Sequence, residues 1–222
     1  MKSVARLAFL AAAGLCASSA VAQADTFTFT SCHISGGCTT PTTFGTVTLT
    51  QVGTNVNFNV SLANGNRFVE TGAAAGELFL FNDTLAGSTI TTSISAPNTP
   101  AGGLSGFTNL PPQHADGTGD FTASVECTVA SDCNGGSGPT INALTFTVTN
   151  ATLAQLETPN ANGNLFVADI LCGATQPGCS GGLTGPVDVS VPGPIVGAGL
   201  PGLVLACGGL VGLARRRRQK IA

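Results

Sequence analysis

Aromatic and imidazole side chains are scarce in this sequence. It contains no tryptophan, no tyrosine and only two histidines, His33 and His114. Tryptophan and tyrosine supply the large amphipathic rings on which most sugar-binding grooves depend. Histidine is the side chain that most often transfers protons in catalysis. The sequence therefore disfavours both a conventional aromatic sugar groove and a histidine-centred enzyme.

Charge is also scarce, and it is unevenly placed. Only 9% of the residues are charged, and Arg67 is the one basic residue between Asp25 and Val191. All 11 acidic residues lie in that segment, so one arginine against eleven carboxylates leaves it a formal charge of −10. An acidic domain repels phosphate backbones and anionic membrane surfaces. Nucleic acid is therefore not an expected partner.

The C-terminus has what the rest of the chain lacks, a long apolar run followed by a basic cluster. Residues 195–214 are predominantly apolar, and about 20 residues of helix span roughly 30 Å, the thickness of a bilayer core. Basic residues directly after such a segment stay in the cytoplasm. The pattern predicts a single transmembrane helix with the preceding domain outside. The basic cluster that stops translocation comprises Arg215, Arg216, Arg217, Arg218 and Lys220.

The N-terminus has the layout of a secretory signal peptide. Two basic residues precede an apolar stretch at residues 7–15, and Ala22 and Ala24 offer small side chains for cleavage before Asp25. These features predict three segments. Residues 1–24 are a signal peptide, residues 25–190 an exported domain, and residues 191–222 a C-terminal sorting signal.

A short proline motif, Val191, Pro192, Gly193 and Pro194, stands directly before the apolar run. An exported domain, a proline motif, a hydrophobic helix and an arginine cluster in this order resemble the PEP-CTERM proteins of Gram-negative bacteria. In that family the motif usually reads Pro-Glu-Pro, and Gly193 replaces the glutamate here. Two fates stay open, cleavage beside the motif or retention of the helix as an anchor.

The resemblance carries expectations about handling and location. It implies recognition by an exosortase-like membrane processing enzyme, with a membrane-anchored intermediate. It also implies display at the cell surface, in the outer envelope or in the extracellular matrix, in association with exopolysaccharide and biofilm. It implies no activity for the exported domain and assigns no catalytic role to any residue.

Polar and apolar residues alternate through the exported domain. Residues 56–62 alternate Val, Phe, Val and Leu with Asn, Asn and Ser, and residues 144–149 alternate Leu, Phe and Val with Thr. A period of two predicts strands with one buried face and one face in water. Further strands of this kind are predicted at Thr26–Thr30, Thr46–Gln51 and Phe121–Val129, the last with Phe121, Ala123 and Val125 facing inward. Residues 77–81 are apolar on both faces and predict a central strand.

Turn residues separate these strands. Gly53, Asn64–Gly65 and Asn162–Gly163 accept the positive φ that tight hairpins need. Residues 96–119 are rich in Pro and Gly and predict a long surface loop with one embedded strand near Phe107. Only residues 151–156 suggest a helix. The expected fold is all-β, an antiparallel β-sandwich or jelly-roll.

Six cysteines of the exported domain form three close pairs. Even numbers of cysteines in an exported protein favour disulfides, and tight spacing favours local loops. Structural disulfides are the main expectation; a thiolate metal site that includes His33 and a redox-active pair are the alternatives. The absence of a Cys-x2-Cys pair disfavours metal. The pairs are Cys32 with Cys38, Cys127 with Cys133, and Cys172 with Cys179.

Candidate catalytic and metal-binding groups are few. His114 and Asp116 could assist a serine nucleophile, but no Gly-x-Ser-x-Gly motif accompanies them. A solvated loop histidine is the simpler interpretation. Asp116 and Asp120 could bind calcium through carboxylate oxygens, whereas an ordinary glycine-rich turn is the simpler interpretation here too. No cofactor is expected.

The sequence therefore predicts a secreted or surface-displayed, non-enzymatic β-domain. The alternative is a carbohydrate-binding or adhesive module that uses its threonine and asparagine faces to contact exopolysaccharide. A hydrolase is the third reading.

Overall fold

Two antiparallel sheets are the main elements of the described residues. The computed structural model describes residues 23–39, 42–70, 77–91, 94–134 and 141–191. Helix is limited in these ranges to α1, Leu153–Leu156, and one 3-10 turn, Ala130–Asp132. The strands within them are β1 Ala24–Phe29, β2 Ser31–Cys32, β3 Gly45–Val52, β4 Asn55–Leu62, β5 Arg67–Phe68, β6 Phe79–Phe81, β7 Thr89–Ile90, β8 Leu104–Phe107, β9 Gln113–Ala115, β10 Gly119–Phe121, β11 Ala123–Cys127, β12 Ala143–Thr149, β13 Asn164–Leu171 and β14 Thr184–Ser190.

The first sheet has five strands in the order β1-β3-β4-β12-β7. Along β4 every second residue is buried, as the alternating sequence predicts, and Phe58 lies opposite Leu49 of β3 and Phe146 of β12. A two-residue turn at Gly53 and Thr54 connects β3 to β4, with Gly53 at φ 61°. One face of this sheet is therefore apolar and the other polar.

The second sheet has seven strands. Six run in the order β2-β14-β13-β6-β11-β8, and β5 pairs separately with β13. Strand β6 lies between β13 and β11 and is fully buried, which confirms the central strand predicted from its apolar faces. Strand β13 is also buried over nearly its whole length. Both faces of this sheet are therefore covered along its central strands.

Phenylalanine rings join the two sheets face to face. The ring centroid of Phe58 in the first sheet lies 5.0 Å from that of Phe81 and 6.1 Å from that of Phe166 in the second. Phe146 stacks on Phe58 from its own sheet at 4.6 Å. One hydrophobic cluster includes residues from both sheets. The predicted fold is confirmed as all-β, antiparallel and sandwich-like.

A hairpin covers the outer face of the seven-stranded sheet. Strands β9 and β10 pair with each other, and Ala115 and Phe121 pack on Leu80 and Val167 in a second, smaller cluster. The sequence placed Phe121 in one strand with Ala123 and Val125, all facing the same core. That prediction is wrong for Phe121, because the strand breaks at Thr122 and Phe121 turns to the opposite side of the sheet.

Of the remaining local predictions, some are confirmed and one is wrong. The helix expected at residues 151–156 is α1, where Thr152 and Gln155 form a capping box. Asn64 and Gly65 adopt φ values of 55° and 75°, as the predicted turn requires. The strand expected near Phe107 is β8, but the region also contains β9 and β10. The prediction of a single strand in residues 96–119 is therefore wrong.

Replacing Phe58 by alanine should strongly destabilise the fold, since its ring contacts both sheets. A large-to-small change of this kind costs about 3–5 kcal/mol. The control is Phe107→Ala, because Phe107 is 40% exposed, and its loss should be under about 1 kcal/mol. Urea unfolding followed by circular dichroism measures both values. Equal losses for the two variants would contradict the assigned core.

Candidate functional site

The outward face of the five-stranded sheet carries a regular array of hydroxyl and amide groups. Outward positions alternate with the buried ones in β1, β3, β4 and β12, and strand pairing brings them side by side. We name this surface the threonine–asparagine face. Its residues are Thr26, Thr28, Thr46, Thr48, Thr50, Asn57, Asn59, Ser61, Thr89, Thr145, Thr147 and Thr149.

The strand register aligns these side chains in rows. In the central row, Thr26 lies opposite Thr48, Thr48 opposite Asn59, and Asn59 opposite Thr145. Neighbouring strands are about 4.8 Å apart, and alternate residues along a strand are about 6.7 Å apart. The face is therefore a grid of polar groups with two fixed spacings.

Hydrogen bonds between strands hold side chains of this grid in place. The Thr26 and Thr48 hydroxyl oxygens are 3.0 Å apart, and the Thr147 hydroxyl donates to Asn57 Oδ1 at 2.8 Å. Threonine is stiff at χ1, so little side-chain entropy is lost when such a group binds a ligand. The face thus presents ordered hydroxyl and amide groups.

The grid is uncharged. Within the described residues of the five strands, Asp25 is the only charged one, and it lies opposite the inward-facing Leu49. Hydroxyl and amide groups both donate and accept hydrogen bonds. The face is therefore chemically suited to a neutral polyhydroxylated ligand and carries no group that would select an ion.

A small carboxylate pocket lies on the other sheet. It has a volume of about 150 Å³ and is lined by Glu77, Phe107, Leu110, Gln113 and Glu126. Glu77 is only 5% exposed, and its Oε2 has no hydrogen-bond partner. Burial raises the pKa of Glu77 from 4.5 to about 7, and the negative charges of Glu126 and Glu70 add to the shift. Sequence reasoning missed this pocket.

A second pair of interacting carboxyl groups, Glu157 and Asp25, lies between α1 and the first strand. Burial raises the pKa of Glu157 from 4.5 to about 7, and both the charge of Asp25 and a hydrogen bond to its side chain raise it further. Glu157 directly follows α1, and Asp25 lies in the edge strand β1. The side chain that follows α1 is therefore close enough to Asp25 of the edge strand to be influenced by its charge.

His33 contacts Asp188, a buried residue that the sequence analysis did not single out. His33 Nε2 is 3.0 Å from Asp188 Oδ1 and 3.4 Å from Ser31 Oγ. A hydrolytic triad needs the serine and the carboxylate on opposite ring nitrogens. Both groups meet the same nitrogen here, so this cluster does not have triad geometry. A Cβ added to Gly117 would lie 2.5 Å from His33 Nδ1, so the β9–β10 turn packs directly on the ring.

His114 is exposed, as expected, but it lies in β9 and not in a loop. Its Nδ1 is 2.8 Å from Asp120 Oδ1, and its Nε2 is 4.0 Å from Asp116 Oδ1. The two carboxylates therefore approach different sides of one imidazole. The turn between them closes the β9–β10 hairpin, which matches the glycine-rich turn expected there. The described part of the chain holds no group of three or more His, Cys, Asp or Glu side chains arranged to bind a metal ion.

The three cysteine pairs are where the sequence predicts them. Each pair lies at disulfide distance, with Cα atoms 6.2 Å apart. This distance is within the usual range for bonded cysteines. The local pairing is therefore confirmed. The pairs join Cys32 with Cys38, Cys127 with Cys133, and Cys172 with Cys179.

Most of the predicted processing residues lie outside the described residues. Ala24 is the first residue of β1, and Val191 is exposed with its N–H donating to the Gly163 carbonyl at 3.0 Å. In the described ranges no helix is both long and apolar enough to cross a bilayer. The residues not described include Ala22, Pro192, Gly193, Pro194, the apolar run 195–214, Arg215, Arg216, Arg217, Arg218 and Lys220.

Comparison with known proteins returned nothing similar: no protein-family model, curated protein or solved structure matches this chain.

The raised pKa values predict that folding stability falls as pH rises. Between pH 4.5 and about 7 the unfolded chain ionises Glu77 and Glu157, whereas the folded protein keeps them protonated. The stabilisation from the two protonated carboxyl groups is complete below pH 4.5, the pKa of the unfolded chain. It is lost as the pH rises through about 7, the pKa of the folded protein. Thermal midpoints should therefore be higher at about pH 5 than at about pH 8.

Glu77→Gln should flatten this pH dependence, because an amide does not ionise. The control is Asp116→Asn, whose side chain is 72% exposed and which should keep the wild-type slope. Circular dichroism melts across this pH range measure the effect. A Glu77→Gln slope equal to that of wild type would show that this carboxyl does not titrate as described.

Proposed function

We propose that this chain is an exported, non-enzymatic β-domain that is sorted by its C-terminal signal and binds neutral polysaccharide through the threonine–asparagine face. The observation that carries the binding proposal is the uncharged, hydrogen-bonded grid on the five-stranded sheet. The sorting proposal depends on the proline motif, the apolar run and the arginine cluster. The proposed location of the protein is the outer surface or extracellular matrix of a Gram-negative bacterium.

The chemistry of the face favours a neutral polymer. Neutral sugars present hydroxyl groups, which pair with threonine hydroxyls and asparagine amides. The exported segment has one arginine and eleven acidic residues, so an anionic polymer would be repelled. Without tryptophan or tyrosine rings each contact is weak, and a long polymer that spans several rows gains affinity by avidity.

No arrangement described above favours an enzyme over a binding domain. His33 meets its serine and its carboxylate on one nitrogen, and His114 contacts only carboxylates of its own hairpin among the bonds described. The carboxylate pocket at Glu77 is small, about 150 Å³. An open polar face on a sheet is better suited to a polymer surface than to enclosing a reacting bond.

A charge placed in the central row should weaken polysaccharide binding. Thr48→Glu puts a carboxylate between Thr26 and Asn59, where it disrupts the hydrogen-bond pattern. We expect at least a ten-fold loss of affinity, about 1.4 kcal/mol. Retardation in gels that contain a soluble neutral glucan measures the affinity.

The matched control for this experiment is Thr84→Glu, the same chemical change in the exposed loop after β6. It should be retarded as strongly as wild type. Equal retardation of wild type and Thr48→Glu, or none for wild type across a panel of neutral glucans, would contradict the binding proposal. Neither result bears on sorting, which is tested separately.

The sorting proposal predicts the mature C-terminus. Intact mass of protein recovered from the native host should place it close to Val191, because the arginine cluster holds the motif at the outer interface. Replacing Pro192 and Pro194 by alanine should leave membrane insertion intact and block the cut. Neutral residues in place of Arg215–Arg218 should instead impair insertion. Native material that keeps residues 215–222 and stays in membranes would show an anchored protein.

A further inference from the structure

Two of the three disulfide loops lie side by side. The Cys32–Cys38 loop follows β2, and the Cys172–Cys179 loop follows β13. Cys38 and Cys179 form an isolated antiparallel bridge between the loops. One cysteine of each disulfide, Cys38 and Cys179, therefore lies opposite one cysteine of the other.

The backbone hydrogen bond beside this bridge defines its geometry. The Thr39 N–H donates to the Gly178 carbonyl at 2.8 Å. Thr39 directly follows Cys38, and Gly178 directly precedes Cys179. A flanking bond of this kind marks Cys38 and Cys179 as a non-hydrogen-bonded pair, in which the Cα atoms are about 4.5 Å apart and the side chains are closest. A disulfide spans Cα separations of about 4.4–6.8 Å, so these two cysteines can be joined directly.

The two disulfides differ in accessibility. Cys32 and Cys38 are partly exposed, whereas Cys172 is 1% and Cys179 8% exposed. An open groove of about 420 Å³ runs along the bridge, lined by Cys38, Cys179 and the glycines at 36, 37 and 178. Cys32 is itself partly exposed, and the glycine-lined groove leaves space beside Cys38, so an external thiol can approach the Cys32–Cys38 bond.

We propose that Cys38 and Cys179 are an exchange pair, through which reduction of Cys32–Cys38 by an external dithiol converts the two local disulfides into a single Cys38–Cys179 crosslink. One thiolate of the dithiol attacks Cys32 Sγ and releases Cys38 as a thiolate. The second thiol of the reductant then resolves the mixed disulfide, which leaves the reductant oxidised and Cys32 as a thiol.

The exchange step needs no further electrons. The Cys38 thiolate attacks Cys179 Sγ, the Cys38–Cys179 bond forms, and the Cys172–Cys179 bond breaks. Cys172 leaves as a thiolate and takes up a proton, so the product has one crosslink and two thiols, Cys32 and Cys172. The crosslink joins the N-terminal loop to the loop before β14, segments that the original disulfides do not connect.

Cys32→Ser in the full-length chain tests the geometry directly, because it leaves Cys38 without its partner. After export, alkylation of free thiols and non-reducing peptide mapping should show Cys38 linked to Cys179 and Cys172 alkylated in most molecules. The control is Cys127→Ser. Among the described residues no β-bridge joins Cys133 to another cysteine, so Cys133 should be alkylated with the other two disulfides unchanged.

Wild-type protein titrated with dithiothreitol gives a second measurement, which decides the matter if Cys32→Ser does not accumulate. At limiting reductant, Cys32 and Cys172 should be the first cysteines alkylated, and the Cys38–Cys179 peptide should appear with them. Alkylation of Cys32 and Cys38 together, with Cys172–Cys179 intact, would overturn the proposal. So would a Cys32→Ser protein in which Cys38 stays a free thiol.

Discussion

The ring of Phe58 contacts four other phenylalanine rings, one in its own sheet and three in the sheet opposite. Their centroids lie 4.6–6.3 Å from its own, which is the range of favourable aromatic packing. In a chain without tryptophan or tyrosine, phenylalanine supplies the large side chains of the core. One face of β4 meets this cluster, and its other face, at Asn57, Asn59 and Ser61, is exposed. The alternation that buries Phe58 therefore also places these polar side chains on the threonine–asparagine face.

The shortage of basic residues shapes the electrostatics in the same way. Buried carboxyl groups are usually paired with lysine or arginine, but Arg67 is the only such residue between Asp25 and Val191. The alternative is protonation. The pKa values of Glu70, Glu77, Glu126 and Glu157 are all raised, in each case chiefly by burial. The composition that leaves the threonine–asparagine face neutral therefore also makes the interior sensitive to pH.

The polar face and the exchange pair belong to different sheets. The face is built from β1, β3, β4, β7 and β12, whereas the cysteine loops follow β2 and β13 of the second sheet. A ligand on the grid therefore contacts strands held by the core, while thiol chemistry acts on loops beyond the strand ends. The exchange changes which segments are crosslinked and involves no residue of the threonine–asparagine face, so binding and redox behaviour can be tested separately.

Local patterns in the sequence determined the all-β class, the alternating strands, the central position of β6 and the three cysteine pairs. Each depends on residues close together in the chain, through a period of two, a turn residue or a short loop. Tertiary structure alone decided that Phe121 faces away from Ala123, that His33 meets Asp188, that Glu77 is buried beside Glu126, and that Cys38 faces Cys179. These contacts join residues far apart in sequence, or depend on a strand break that local alternation does not encode. Their energies come from burial and strand register, which exist only once the sheets have assembled.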